Sequence, residues 1–236
     1  MPRTQRACVG GLCYHVLNRG NGRATVFHKP GDFAAFAALL HEALQERPMR
    51  LLAWCLMPSH FHLVLWPEGD NDLSRWMQWL MNAHVRRYHQ HHHSGGQGHI
   101  WQGRFKAFPI QADEHLLAVM RYVERNPVRA KLVARAQDWS WSSLGEALGG
   151  KGPILPGGGP AKLLHVGPVA RPHNWPARVN QPESQAELEA VRASVRRGSP
   201  LGSESRIGPT AKALGLTHTL RPRGRPRKKP PRMVTS

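Results

Sequence analysis

The sequence predicts an α+β fold, a mostly antiparallel sheet with helices packed on it. Three observations carry that reading. Several short stretches have the alternating or continuous apolar character of strands. Between them lie longer stretches with apolar residues at helical spacing. Two of the strands are separated only by Pro58-Ser59, which leaves room for a hairpin turn and no crossover.

The elements follow in order. Leu12 to Asn18, LCYHVLN, alternates as a strand, and Arg19-Gly20-Asn21-Gly22 signals a turn. Ala24 to Phe27 is expected to form a short second strand. Asp32 has the character of an N-cap, with Phe33, Phe36, Leu40 and Leu44 following at helical spacing until Pro48 stops them. Leu51 to Met57 is a buried strand, and His60 to Trp66, HFHLVLW, is its hairpin partner. Asn71-Asp72 caps a helix that carries Leu73, Trp76, Met77, Leu80, His84 and Tyr88. HQHHHSGGQG, from His89, is expected to be a loop. Arg104 to Gln111 forms a strand, and Asp113 opens a helix that runs to Asn126, where Pro127 ends it. Strands and helices in this order suggest a ferredoxin-like or split-βαβ arrangement.

The chain has 236 residues, and its character changes at about Trp139. Residues 1–135 are expected to hold the folded core. Residues 136–219 form an extension with short helices at 184–197 and 209–216, beyond a Gly- and Pro-rich linker at 149–160. Residues 220–236 are a basic tail with no capacity for a core.

Charge narrows the function. Lys and Arg number 33 against 15 Asp and Glu, a formal net charge of +18. Such a surplus calls for a polyanionic partner, nucleic acid or an anionic surface. No apolar run reaches the roughly 18 residues of a membrane helix, and no apolar signal segment opens the chain, so nucleic acid in the cytoplasm is the expectation. Cys8, Cys13 and Cys55 are odd in number and form no CxxC pair, which argues against a disulfide framework or a cysteine zinc site.

Two motifs carry chemistry. His60 and His62 stand at i and i+2 on one strand, so both imidazoles project from the same face while Phe61 points away. A divalent metal would need a third ligand from elsewhere. One buried and one exposed histidine would explain the pair equally well. On the helix LLAVMRYVERN, Leu116, Val119, Met120 and Val123 form the core stripe, and Tyr122 and Asn126 share its edge four residues apart. A rim tyrosine and a helix-closing asparagine fit this pattern. So do a nucleophile and a metal ligand.

Five segments together resemble one family: HVLNRGNGRATVF (15–27), AWCLMPSHFHLVLW (53–66), WQGRFKAFPI (101–110), RYVERNPVRAKLV (121–133) and LRPRGRPRK (220–228). The chain is similar to the REP-associated tyrosine transposases, a branch of the HUH single-strand nuclease and transposase superfamily. The resemblance implies that His60 and His62 bind Mg²⁺ or Mn²⁺, that Tyr122 is the nucleophile, and that Asn126 completes the metal site. It implies attack on a phosphodiester, with the 5′ phosphate left on Tyr122 and a 3′ hydroxyl freed, so that the same site cleaves and rejoins single-stranded DNA beside a REP-like hairpin. It matches no residue to a general base.

Further DNA contacts are expected from Arg86 and Arg87, from Arg104 and Lys106, and from the tail. Arginines hold phosphates, and aromatics among them stack on unpaired bases. Arg223-Gly224-Arg225-Pro226-Arg227 resembles an AT-hook, with Arg223, Arg225 and Arg227 directed at a minor groove. The run His91–His93 is expected to be a solvated loop, and Tyr88 is the competing phenol. The expected partner is single-stranded or hairpin DNA, with no membrane and no small-molecule cofactor, for a monomer at the nucleoid. Two other functions remain open: a DNA-binding regulator without catalysis, and a phosphoesterase using His60 and His62 as acid and base.

Overall fold

The structure, a computed structural model, describes residues 8–96, 98–148 and 162–221. The 149–160 linker and the tail arginines Arg223, Arg225 and Arg227 lie outside the described residues. The core elements are β1 (Cys13–Arg19), α1 (Pro30–Glu46), β2 (Arg50–Met57), β3 (His60–Trp66), α2 (Asp72–His92), β4 (Lys106–Ile110), α3 (Glu114–Glu124) and α4 (Asn126–Arg129). The extension adds α5 (Leu144–Ala147), α6 (Trp175–Asn180), α7 (Gln185–Arg197) and α8 (Glu204–Ala213).

The four strands form one antiparallel sheet in the order β2-β3-β1-β4. This is the expected α+β architecture. Residues opposed across neighbouring strands share a face, so the register sorts the side chains. One face carries Tyr14, Val16, Phe61, Leu63 and Leu65, packed with Phe36, Leu40, Trp76 and Leu80 of α1 and α2. The other carries Cys55, Val64, Phe108 and Ile110, packed against Leu116, Val119, Met120 and Val123 of α3. His15, His60 and His62 lie on this second face.

The extension closes both sheet edges, which would otherwise present unpaired backbone. At the β2 edge, Leu56 N–H donates to Trp141 O at 2.8 Å and Ser143 N–H to Trp54 O at 2.9 Å. At the β4 edge, Leu201 N–H donates to Pro109 O at 3.0 Å and its carbonyl accepts from Gln111 N–H at 2.9 Å.

Several elements differ from expectation. Ala24–Phe27 is not a strand: Val26 and Phe27 both donate their N–H to Pro58 O, at 2.8 and 3.0 Å, and so pin the β2–β3 turn instead of joining the sheet. Asp32 is not the N-cap of α1, which is Lys29, but the N3 residue that reaches back to it, accepting from the N–H groups of His28 and Lys29 at 2.8 and 3.1 Å. His89–His92 is the last turn of α2 and not a loop; the helix closes where His93 turns left-handed at φ 49°. Pro127 does not end the helical path, because a proline in a helix's first turn loses no hydrogen bond, and α4 starts there.

Candidate active site

The site is assembled from β1, β3 and α3. His60 opens β3 directly after the pinned Pro58-Ser59 turn, and Gly20 N–H fixes that turn further by donating to Ser59 O at 2.8 Å. Three cross-strand rows surround the histidines. Arg19 opposes His60, Leu17 opposes both His62 and Lys106, and His15 opposes Val64 and Phe108. Arg19 and Lys106 are exposed on the histidine face.

The imidazoles are close-packed. The rings of His60 and His62 lie 5.0 Å apart, and those of His15 and His62 stack at 5.0 Å. His15 Nε2 stands 2.8 Å from His62 Nδ1. Ser59 Oγ lies 3.1 Å from His60 Nδ1. Both motif histidines thus have Nδ1 occupied by a neighbour, which leaves their Nε2 atoms for a ligand. All three rings are neutral near pH 7. Burial pushes His15 down to about 3. Burial, then the Arg19 and Arg129 charges, pushes His60 down to about 4. Burial, then His15 and His60, holds His62 well below the ordinary imidazole range. Neutral imidazoles keep the lone pair that binds a metal.

Asp113 sets α3 in place: its carboxylate accepts from His115 N–H at 2.9 Å and from Gln111 Nε2 at 2.6 Å. The Tyr122 ring then meets those of His62 and His15 edge-on, at 5.9 and 6.1 Å. Arg129, seven residues on, places its guanidinium 4.0 Å from the centre of the Tyr122 ring. Glu183 fixes Arg129 at 2.6 Å and pairs with Arg125 at 3.1 Å. Asn126 is buried, and its Nδ2 has no hydrogen-bond partner. An amide left unpaired in a buried position is costly, and its two ends are interchangeable by rotation. Two free imidazole nitrogens and one uncommitted amide fit a divalent cation.

The other expected residues are dispersed. Arg104 is exposed and lines a groove of about 670 Å³ with Asn18, Met77, Met81, Trp101 and Phe105. Arg86 is exposed on α2, and Arg87 pairs with Glu42 at 2.7 Å. Tyr88 also lies on α2, across the sheet from His62, with its ring 4.2 Å from that of His92. Sequence reasoning missed His15, Arg19, Arg129 and Glu183. Strand parity offered a signal for two of them, since His15 and Arg19 share one face of β1 with Leu17 between them. Arg129 and Glu183 gave none.

Residues 8–126 match the family described as "Transposase IS200 like". A Haemophilus influenzae protein assigned as a REP-associated tyrosine transposase is 26% identical over 116 residues, which cover 46% of this chain and 66% of that protein. The chain therefore spans just under two thirds of that relative's length. Among solved structures, a REP-associated tyrosine transposase bound to a REP hairpin shares the fold, with a TM-score of 0.52 and 21% identity over 70% of this chain and 95% of the other. A Deinococcus radiodurans R1 protein assigned as a transposase gives a TM-score of 0.38 at 21% identity, over 52% of this chain and 96% of its own.

Proposed function

We propose, because this chain belongs to the family of IS200-like transposases, that it nicks and rejoins single-stranded DNA beside hairpins through a covalent bond to Tyr122. The observation that carries this reading is the meeting of Tyr122 with His62, whose ring lies beside that of His60 on one sheet face, next to cationic Arg19 and Lys106.

The chemistry follows from the charge of the substrate. A phosphodiester is anionic and repels a nucleophile, and a phenol is a poor one while it holds its proton. His60 and His62, through Nε2, and Asn126, through its amide oxygen, would hold Mg²⁺ or Mn²⁺, which when bound withdraws charge from the non-bridging oxygens and orients the phosphate. Arg19 and Lys106 attract the flanking backbone. Tyr122 Oη attacks phosphorus and gives up its proton. The P–O3′ bond breaks, and the departing 3′ oxygen takes a proton. The DNA 5′ phosphate remains on Tyr122. A phosphotyrosine keeps the energy of the cut bond, so an incoming 3′ hydroxyl reverses the step and releases the phenol.

The hairpin follows the REP hairpin held by the solved relative. The 1–135 unit would carry the chemistry, and the 136–219 extension would brace α3. The 220–236 tail would deliver a monomer to nucleoid DNA in the cytoplasm. Among the described residues, no helix is long and apolar enough to cross a membrane.

The test is incubation with REP-like hairpin oligonucleotides and Mn²⁺, followed by denaturing gels. The wild-type chain gives a nick and an SDS-resistant adduct, and EDTA abolishes both. Tyr122→Phe removes one oxygen and forms no adduct while still binding hairpin. Hairpin binding with no adduct from the wild type would instead favour a non-catalytic DNA-binding protein.

A further inference from the structure

A second cluster of metal-ligating groups lies on the opposite side of the sheet from His62. Asp32, in the first turn of α1, and His91 and His92, in the last turn of α2, each offer one ligand atom, all within 4.8 Å of one another. We propose that Asp32, His91 and His92 form a second metal site, for a borderline divalent ion of the Zn²⁺ class, that ties the end of α2 to the start of α1.

The two carboxylate oxygens of Asp32 have separate duties. Oδ2 accepts from the backbone N–H groups of His28 and Lys29, at 2.8 and 3.1 Å, which fixes the side chain. Oδ1 faces His92 Nε2 at 3.8 Å. That gap is too long for a hydrogen bond. It is close to the spacing of two ligands on one tetrahedral ion, roughly 3.4 Å for bonds of about 2.1 Å. The Asp32 side chain is only 8% exposed, so its charge is held in a sheltered position.

The imidazoles are arranged to match. Tyr88 packs on the His92 ring at 4.2 Å and holds it toward Asp32. The His91 ring stands 4.9 Å from that of His92, exposed and free to turn inward. The last turn of a helix presents unpaired carbonyls, which favour a cation. Two imidazoles and one carboxylate select Zn²⁺ and its neighbours over Mg²⁺ or Ca²⁺, which prefer oxygen. Three protein ligands leave a fourth position for water.

The rival explanation is loose chelation by the histidine run alone, and the role of Asp32 separates the two. The full chain, stripped with EDTA, is titrated with Zn²⁺ by calorimetry beside its variants. In the wild type one equivalent binds that survives in a His60→Ala, His62→Ala double variant. His91→Ala, at an exposed position, and Asp32→Asn each weaken that equivalent by roughly tenfold or more, whereas His93→Ala leaves it unchanged. Loss on His93→Ala without loss on Asp32→Asn marks adventitious chelation and overturns the proposal. So does the disappearance of all Zn²⁺ binding with His60 and His62.

Discussion

His15 Nε2 lies 2.8 Å from His62 Nδ1, and both rings are buried. The pair settles which nitrogen of His62 faces outward. If His62 presents an Nε2 lone pair, its proton sits on Nδ1 and is donated to His15 Nε2. His15 then carries its own proton on Nδ1, an atom with no partner. His15 is thus the group that holds the His62 ring in orientation, as carboxylates and carbonyls do behind other metal-binding histidines. His15→Leu should weaken Mn²⁺ binding by roughly 10- to 100-fold and leave the circular dichroism spectrum and hairpin binding in place. Mn²⁺ titration followed by electron paramagnetic resonance measures it. An unchanged affinity would remove His15 from any orienting role.

The parts of this arrangement differ in how visible they are in sequence. His60 and His62 stand out because strand parity puts i and i+2 on one face, and Tyr122 and Asn126 because helical spacing does the same. His15 precedes its partner by 47 residues, and only the β1–β3 register joins them. Arg129 follows Tyr122 closely, yet its contact with the ring depends on Glu183, which arrives from beyond the linker. The sheet and main helices follow from apolar periodicity. The boundaries that moved are places where a tertiary hydrogen bond overrides local character. Val26 and Phe27 give their N–H groups to a turn, and α2 continues through polar histidines because its other face is buried.

Glu124 links α3, the helix that carries Tyr122, to the extension. Its side chain is fully buried and accepts from Ser143 Oγ at 2.6 Å, Trp175 Nε1 at 2.6 Å and Arg171 Nη2 at 3.1 Å. Glu124→Leu would strand three donors, one of them the partly buried Arg171 guanidinium. Removing one partner of a buried charge pair costs about 3–5 kcal/mol. Glu124→Gln keeps the shape and an acceptor oxygen, so its loss should be smaller. Urea denaturation of the two variants measures the difference; equal stabilities would mean that the retained shape and acceptor oxygen contribute little and that the loss lies in the charge.

Acid should destabilise the fold by a route separate from the face that carries His15, His60 and His62. His84 lies on the buried face of α2 and accepts from Trp101 Nε1 at 3.2 Å, so it must be neutral. Burial, mainly, pushes it down to about 3. In the unfolded chain it titrates near 6.5. Below that pH the unfolded state takes a proton that the folded state refuses. The stability from neutral His84 is therefore complete above about pH 6.5 and is lost as the pH falls toward about 3. His84→Asn keeps an acceptor and removes the titration. Between about pH 7 and pH 5 the wild type should lose about 2 kcal/mol more than this variant, as measured by urea denaturation at each pH. Parallel losses would show that His84 does not carry the effect.

The tail should supply affinity without choosing the cut. Residues Arg221 to Arg232, RPRGRPRKKPPR, carry basic charge and no acid. Gly224 has no side chain to meet a groove floor, and Pro226 favours an extended backbone. Arginines on such a backbone are drawn to the negative potential of a narrow minor groove. On the proposed mechanism the nick position, by contrast, depends on which phosphate reaches Tyr122, at the site assembled from β1, β3 and α3. Each phosphate that a tail cation neutralises releases a counterion from the DNA, which makes binding weaker at high salt. Deleting residues 220–236 should therefore weaken DNA binding and flatten its salt dependence, with the nick left at the same phosphate. Mapping the nick on a hairpin substrate at saturating truncated enzyme tests the division of labour. A nick that shifts or vanishes there would give the tail a part in selecting the site.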